Sequence, residues 1–196
     1  MGIRIDAWRE TLCARSRSGV AGAPHLPWLQ ASTQEKSHDP TYELLPAIPE
    51  LTKKLIEFGA LFQKTTIETP IQELVEIRAS QLNGCAFCVD MHIKMAKIHG
   101  ERELRLHHVA IWRESTLFSP RERAALAWTE ALTHLPAGGV PDDIYERVRT
   151  QYSEKELSDL TFLVGAINAW NRLNVAFQMV PGSSDKAFGL DKANLE

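Results

Sequence analysis

Two cysteines and a histidine stand close together in "QLNGCAFCVDMHIKMAKIHG", residues 81–100. Cys85, Cys88 and His92 occupy positions i, i+3 and i+7, which share one face if the segment is helical. Four chemistries could use such a set: a metal clip, a haem attachment, an inert structural pair, or a redox dithiol. Haem attachment needs histidine directly after the second cysteine, and Val89 stands there instead. A structural zinc site needs four ligands, so one of His99, His107 or His108 would have to join the local three. A redox dithiol needs nothing more than the residues present. Cys85 falls at or just before a helix start, where unpaired backbone N–H groups and the positive end of the helix dipole stabilise a thiolate. Thiolate is the reactive form, and CxxC at a helix N-terminus is an arrangement that lowers thiol pKa. His92, one turn beyond Cys88, can serve as its base or imidazolium partner.

The elements that must position these groups can be read from caps and periodicity. Leu51, Leu55, Phe58 and Phe62 form an amphipathic stripe. Thr69-Pro70 opens a second helix, with Thr69 as N-cap, Pro70 at the first helical position and Gln72 completing a capping box. Asn83-Gly84 ends it with a left-handed stop. A third helix runs from near Cys85 to His99-Gly100, and a fourth from about Glu101 to Trp112. Ser119-Pro120-Arg121-Glu122 opens a helix through Leu132. A shorter one covers Asp142 to Gln151. Ser153 and Glu156 box a long final helix that reaches about Phe177.

No alternating strand pattern of useful length is present. The reading is all-α: a helical bundle of about six to seven helices built on an antiparallel αα-hairpin at Gly84. In that hairpin Glu73 and His92 are equidistant from a point between Leu82 and Asn83. If their sides agree, Glu73 can hydrogen-bond His92 and fix its tautomer and charge. Glu76 is the rival carboxylate.

Composition bounds the rest. The chain has 196 residues, 44% hydrophobic and 24% charged, which suits one globular domain with a sizeable core. A net charge of −3 gives no basic field for nucleic acid. No apolar run approaches the roughly 18 residues that signal a membrane span. Three cysteines are too few for a secreted disulfide framework, so the expected setting is a reducing, cytoplasmic one. Residues 1–40 read as an N-terminal extension without sustained periodicity, with Cys13 a spectator. Residues 41–190 read as the helical domain and 191–196 as a tail. His107 and His108 are adjacent and share no face, so packing or surface roles fit them. Glu122 reads as a cap, and Glu130 as part of a solvated face. Asn168, Trp170, Asn171 and Arg172 form a polar cluster in an apolar helix. It reads as a hydrogen-bonded network at a helix or subunit contact, or as a pocket lining.

The spacing Glu-x11-Cys-x2-Cys-x3-His, as Glu73, Cys85, Cys88 and His92, resembles the active-site motif of the alkyl hydroperoxidase D / carboxymuconolactone decarboxylase-like family. "IRASQLNGCAFCVDMH", "WRES", "SPRERAALAWTEALT" and "INAWNRLNVAF" resemble its peroxidase-related branch, and the likeness covers about Tyr42 to Phe188. The resemblance implies peroxide reduction through a cysteine pair, with Cys88 peroxidatic, Cys85 resolving, and Glu73 and His92 a proton relay. It implies a trimer or hexamer and no bound cofactor. It also implies two partners, a small-molecule hydroperoxide and an external dithiol or reductant protein, lipoyl-linked in the best-known case. One position departs: the best-known members carry histidine between the cysteines, and here it is Phe87. The competing readings are a thiol–disulfide oxidoreductase or redox-sensing oligomer, a lyase or decarboxylase on the same scaffold, and a zinc module.

Overall fold

Regular structure among the described residues is helical throughout. The computed structural model describes residues 49–195, and these belong to one compact unit. The readings of residues 1–40, including Cys13, and of the stretch up to 48 lie outside the described residues. Among the described residues eight α-helices follow one another: α1 (Pro49–Ala60), α2 (Thr69–Asn83), α3 (Ala86–Ile98), α4 (Glu103–His108), α5 (Pro120–His134), α6 (Asp142–Arg149), α7 (Glu154–Ala176) and α8 (Asp185–Phe188). Short 3-10 turns cover Leu61–Lys64, Val109–Ile111 and Leu190–Ala193. The expected long fourth helix is thus a single α turn and a half followed by a 3-10 turn.

Helix α2 is the axis of the bundle. It packs against α3, α5 and α7, so its apolar residues point several ways. Ile71 and Val75 meet Ala124, Ala125 and Trp128 of α5 and Leu160, Leu163 and Val164 of α7. Leu74 and Ile77 meet Ala96, Leu106, Val109, Trp112 and Leu126. Ile77 is fully buried, and such burial contributes about 1.5–3 kcal/mol per large aliphatic side chain.

Two of the three capping readings hold. Ser119 with Glu122, and Ser153 with Glu156, close reciprocal capping boxes at the starts of α5 and α7. The third does not. Thr69 is already helical, and Glu68 takes the N-cap position without a side-chain cap bond. Gln72 instead donates to the carbonyls of Phe62 and Ile67, pinning the preceding turn. The Glu68 carboxylate is held across the bundle by Arg121.

Glu130 also differs from its reading as part of a solvated face. Its carboxylate accepts from Arg78 Nε at 2.7 Å and Trp112 Nε1 at 2.8 Å and pairs with Arg113. These partners hold its pKa down although burial raises it. Trp112 is buried as well.

Candidate active site

The cysteines owe their places to one turn. Gly84 sits at φ 67, a left-handed conformation that costs a residue with a Cβ about 1–2 kcal/mol. It lets Cys85 N–H reach back to the Ser80 carbonyl at 3.0 Å, closing α2 as α3 begins. Cys85 is then the N-cap of α3, and its Sγ accepts from Cys88 N–H at 3.3 Å. Cys85 and Cys88 are joined as a disulfide with Cα atoms 5.4 Å apart.

The two sulfurs have different surroundings. Both are buried among Ala79, Phe87 and Ile167. Cys88 lines a cavity of about 280 Å³, and Cys85 does not. Asn174 of α7 donates its Nδ2–H to Cys88 Sγ at 3.3 Å. The cavity is strongly apolar, walled by Phe62, Phe87, Met91, Met95, Trp170 and Met179, with Glu76, His92 and Asn174 as its main polar groups. Its far wall comes from the C-terminal segment, through Ser184 and Phe188. That segment is tied to α3 by Lys94, which bonds Asp185 at 2.6 Å and Asp90 at 2.8 Å, while Asp90 also accepts from Gly182 N–H. Leu190 is buried beyond it, so the chain past residue 190 begins as a packed turn.

His92 stands between two carboxylates. Its Nδ1 lies 3.1 Å from Glu76 Oε2 and 3.8 Å from Glu73 Oε2, aligned for a hydrogen bond with neither. The rival carboxylate is therefore the nearer one. Glu73 uses its other oxygen on a residue that the hairpin reading left out, His99, whose Nδ1 is 3.0 Å from Glu73 Oε1. Burial pushes the His92 imidazolium toward deprotonation, yet Glu76 and Glu73 outweigh it and hold its pKa at about 10. Glu73, Glu76 and His92 bring donor atoms within 4.8 Å of one another, a spacing that could chelate a cation. A cation there would have to displace the imidazolium proton that the two carboxylates favour.

The polar cluster on α7 divides by face. Asn83 Nδ2 donates to both Asn168 and Asn171, Asn171 donates to Ser80 Oγ, and Arg172 caps Asn168. These groups lock α2 to α7 as a helix-contact network. Trp170 turns to the cavity instead. Asn174, which sequence reasoning missed, completes an i, i+3, i+6 series with Asn168 and Asn171, and that periodicity was its available signal.

A helical bundle that presents a buried CxxC at the mouth of α3, backed by carboxylates and a histidine, defines a class of all-helical proteins built on one αα-hairpin. The chain belongs to the carboxymuconolactone decarboxylase family, whose model matches residues 49–131. The uncharacterized protein YdfG of Bacillus subtilis is 41% identical over 128 residues, which span 65% of this chain and 87% of YdfG. A solved protein of Agrobacterium tumefaciens, described as a putative antioxidant defence protein AhpD of unknown function, superposes with a TM-score of 0.69. It is 37% identical and the match covers 71% of this chain and 96% of that one. The AhpD core of a peroxidase-related protein from Ralstonia eutropha shares the fold at a TM-score of 0.64, with 20% identity over 71% of this chain and 75% of that one. No described helix is long and apolar enough to cross a membrane.

Proposed function

We propose that the protein is a cysteine-based peroxidase that reduces organic hydroperoxides through a Cys85–Cys88 dithiol/disulfide cycle. The observation that carries the reading is that Cys88, and not Cys85, faces an apolar cavity that His92 also lines, with Glu76 and Glu73 beside the imidazole to favour its charged form. In the reduced protein the Cys88 thiolate attacks the O–O bond. A sulfur–oxygen bond forms as the O–O bond breaks, sulfur gives up two electrons, and the departing alkoxide takes a proton from His92. Cys85, held as N-cap beside the sulfenic acid, displaces hydroxide as water and restores the disulfide. An external dithiol then supplies two electrons and two protons to reopen it. The apolar walls favour a peroxide with a carbon tail over hydrogen peroxide.

The test is stopped-flow consumption of an organic hydroperoxide with a panel of dithiols, including dihydrolipoamide, on wild type and Cys88→Ser. Wild type should turn over and Cys88→Ser should not. Dimedone should label Cys88 in Cys85→Ser protein after one equivalent of peroxide. Rapid dithiol–disulfide exchange without peroxide consumption would replace this reading with a thiol–disulfide oxidoreductase.

A further inference from the structure

The two oxygens of Glu73 face two different histidines in two different settings. Oε2 lies 3.8 Å from Nδ1 of His92, which lines the apolar cavity. Oε1 lies 3.0 Å from Nδ1 of His99, whose side chain is 46% exposed. Glu73 itself is 5% exposed and does not line the apolar cavity. It borders a second, polar cavity of about 340 Å³ with His99, Glu101, Arg102 and Arg105. His92 lies in α3 and His99, seven residues on, is its C-cap, and each turns an Nδ1 toward Glu73 of α2. Helix α2 ends at Asn83 and α3 begins at Ala86, which centres the turn between Gly84 and Cys85 and puts Glu73 level with Ala96, midway between the histidines.

We propose that His99 is the solvent end of a proton path, His99–Glu73–His92, that recharges the buried site through the polar cavity while the peroxide uses the apolar one. The inference rests on the peroxidase reading above. Each thiolate attack consumes one proton, which His92 gives to the alkoxide. The walls around Cys88 are apolar, so bulk water is poorly placed to return it. An imidazole takes a proton on one nitrogen and releases it from the other. His99 takes one from solvent and passes it to Oε1 of the Glu73 carboxylate; rotation of the resulting carboxyl turns that proton toward His92, which regains its charge as Glu73 returns to a carboxylate. Closing the 3.8 Å gap to hydrogen-bond length needs a carboxylate shift of about 1 Å. Reduction of the disulfide to one thiol and one thiolate releases a proton along the same route, so the cycle balances. His99 acts through Glu73 and His92 and touches neither sulfur nor substrate, so it is a positioning and conducting residue.

The experiment is steady-state consumption of an organic hydroperoxide at saturating dithiol, in wild type and His99→Ala, with and without added imidazole; the first turnover, which spends the proton His92 already holds, should be alike in both. His99→Ala should slow steady-state turnover roughly 100-fold, the low end of what a positioned proton-transfer group contributes. Imidazole should restore the rate in proportion to its concentration, and alkylation of Cys88 by iodoacetamide should be unchanged. A wild-type rate in His99→Ala, or a slow rate that imidazole leaves slow, would overturn the path and leave the peroxidase standing. Failure of wild type itself to consume peroxide would overturn both.

Discussion

Asn174 should set the acidity of Cys88. Its amide is the side-chain donor directed at the Cys88 sulfur, and it is buried in the cavity wall. A hydrogen bond to a charged acceptor is worth about 1.5–3 kcal/mol, and one pKa unit corresponds to about 1.4 kcal/mol. Asn174→Leu keeps the side-chain volume and removes the donor, and the main-chain carbonyl that accepts from Met179 N–H is untouched. The Cys88 thiol pKa should therefore rise by about 1–2 units. Asn174→Asp should raise it further, because a carboxylate beside the sulfur opposes the thiolate. The assay is the pH dependence of iodoacetamide alkylation in a Cys85→Ser background, where Cys88 has no partner thiol. Circular dichroism controls for folding. A Cys88 pKa that stays put or falls in Asn174→Leu would refute the reasoning and return the activation to the helix terminus and His92 alone.

Four further outcomes follow from the ion cluster and the surface. Glu73→Gln and His92→Gln should each slow peroxide reduction by about 10-fold or more, and the double variant should be little worse than either, because groups that act as a unit are non-additive; additive losses would mean independent roles. Glu76→Gln should lower the His92 pKa from about 10 by more than Glu73→Gln does, since Glu76 is the nearer charge, and imidazole proton NMR titration reads the difference. The same shift links to stability: a histidine whose folded pKa is raised binds its proton more tightly in the native state, so its contribution is complete below about pH 6.5 and is lost as pH rises through about 10. The urea midpoint of wild type relative to His92→Gln should fall between pH 6 and pH 10, and an equal gap at both would count against it. Finally, Leu51, Ile56 and Leu61 around α1 and Phe162 on α7 are exposed, and a trimer or hexamer would cover such surface; light scattering at micromolar concentration should show it, and a fully active monomer would not fit.

Much of the scaffold was legible because its signals are local. A left-handed glycine after Asn83 and two Ser-x-x-Glu boxes each satisfy backbone groups within a few residues, and all three stand where their spacing puts them. Thr69 misled because Pro70 sits equally well at the second helical position, and the helix took one residue more. The amphipathic stripe of α1 was real but its end points split: Leu51 is exposed, whereas Phe62 is buried in the turn beyond the helix. The partners that cross long spans were not legible. Asn174 meets Cys88 across 86 positions, and Glu130 meets Arg78 across 52. Such pairs depend on how α7 and α5 are rotated against α2, which no local pattern encodes. Trp112 fills the core beside α2, so the exposed apolar surface that an oligomer would cover lies on α1 and at Phe162.

The relation between Glu73, Glu76 and His92 shows how a small shift in a turn reassigns chemistry. Equidistance from a point between Leu82 and Asn83 pairs His92 with Glu73. The helices actually end and begin at Asn83 and Ala86, so the turn is centred two residues later, between Gly84 and Cys85. Each level pair then slips by about four residues, which is one helical turn. His92 becomes level with Ile77, next to Glu76, and that carboxylate makes the 3.1 Å approach. Glu73 is displaced one turn toward the other end of α3, where it stays within reach of His92 and gains His99. The cause is Cys85. Its extended backbone, φ −85 and ψ 91, keeps it out of α3 and lets its sulfur cap the helix. The residue that places one thiol at the helix terminus thereby also sets which carboxylate holds the buried imidazolium and which one is free to connect it to solvent.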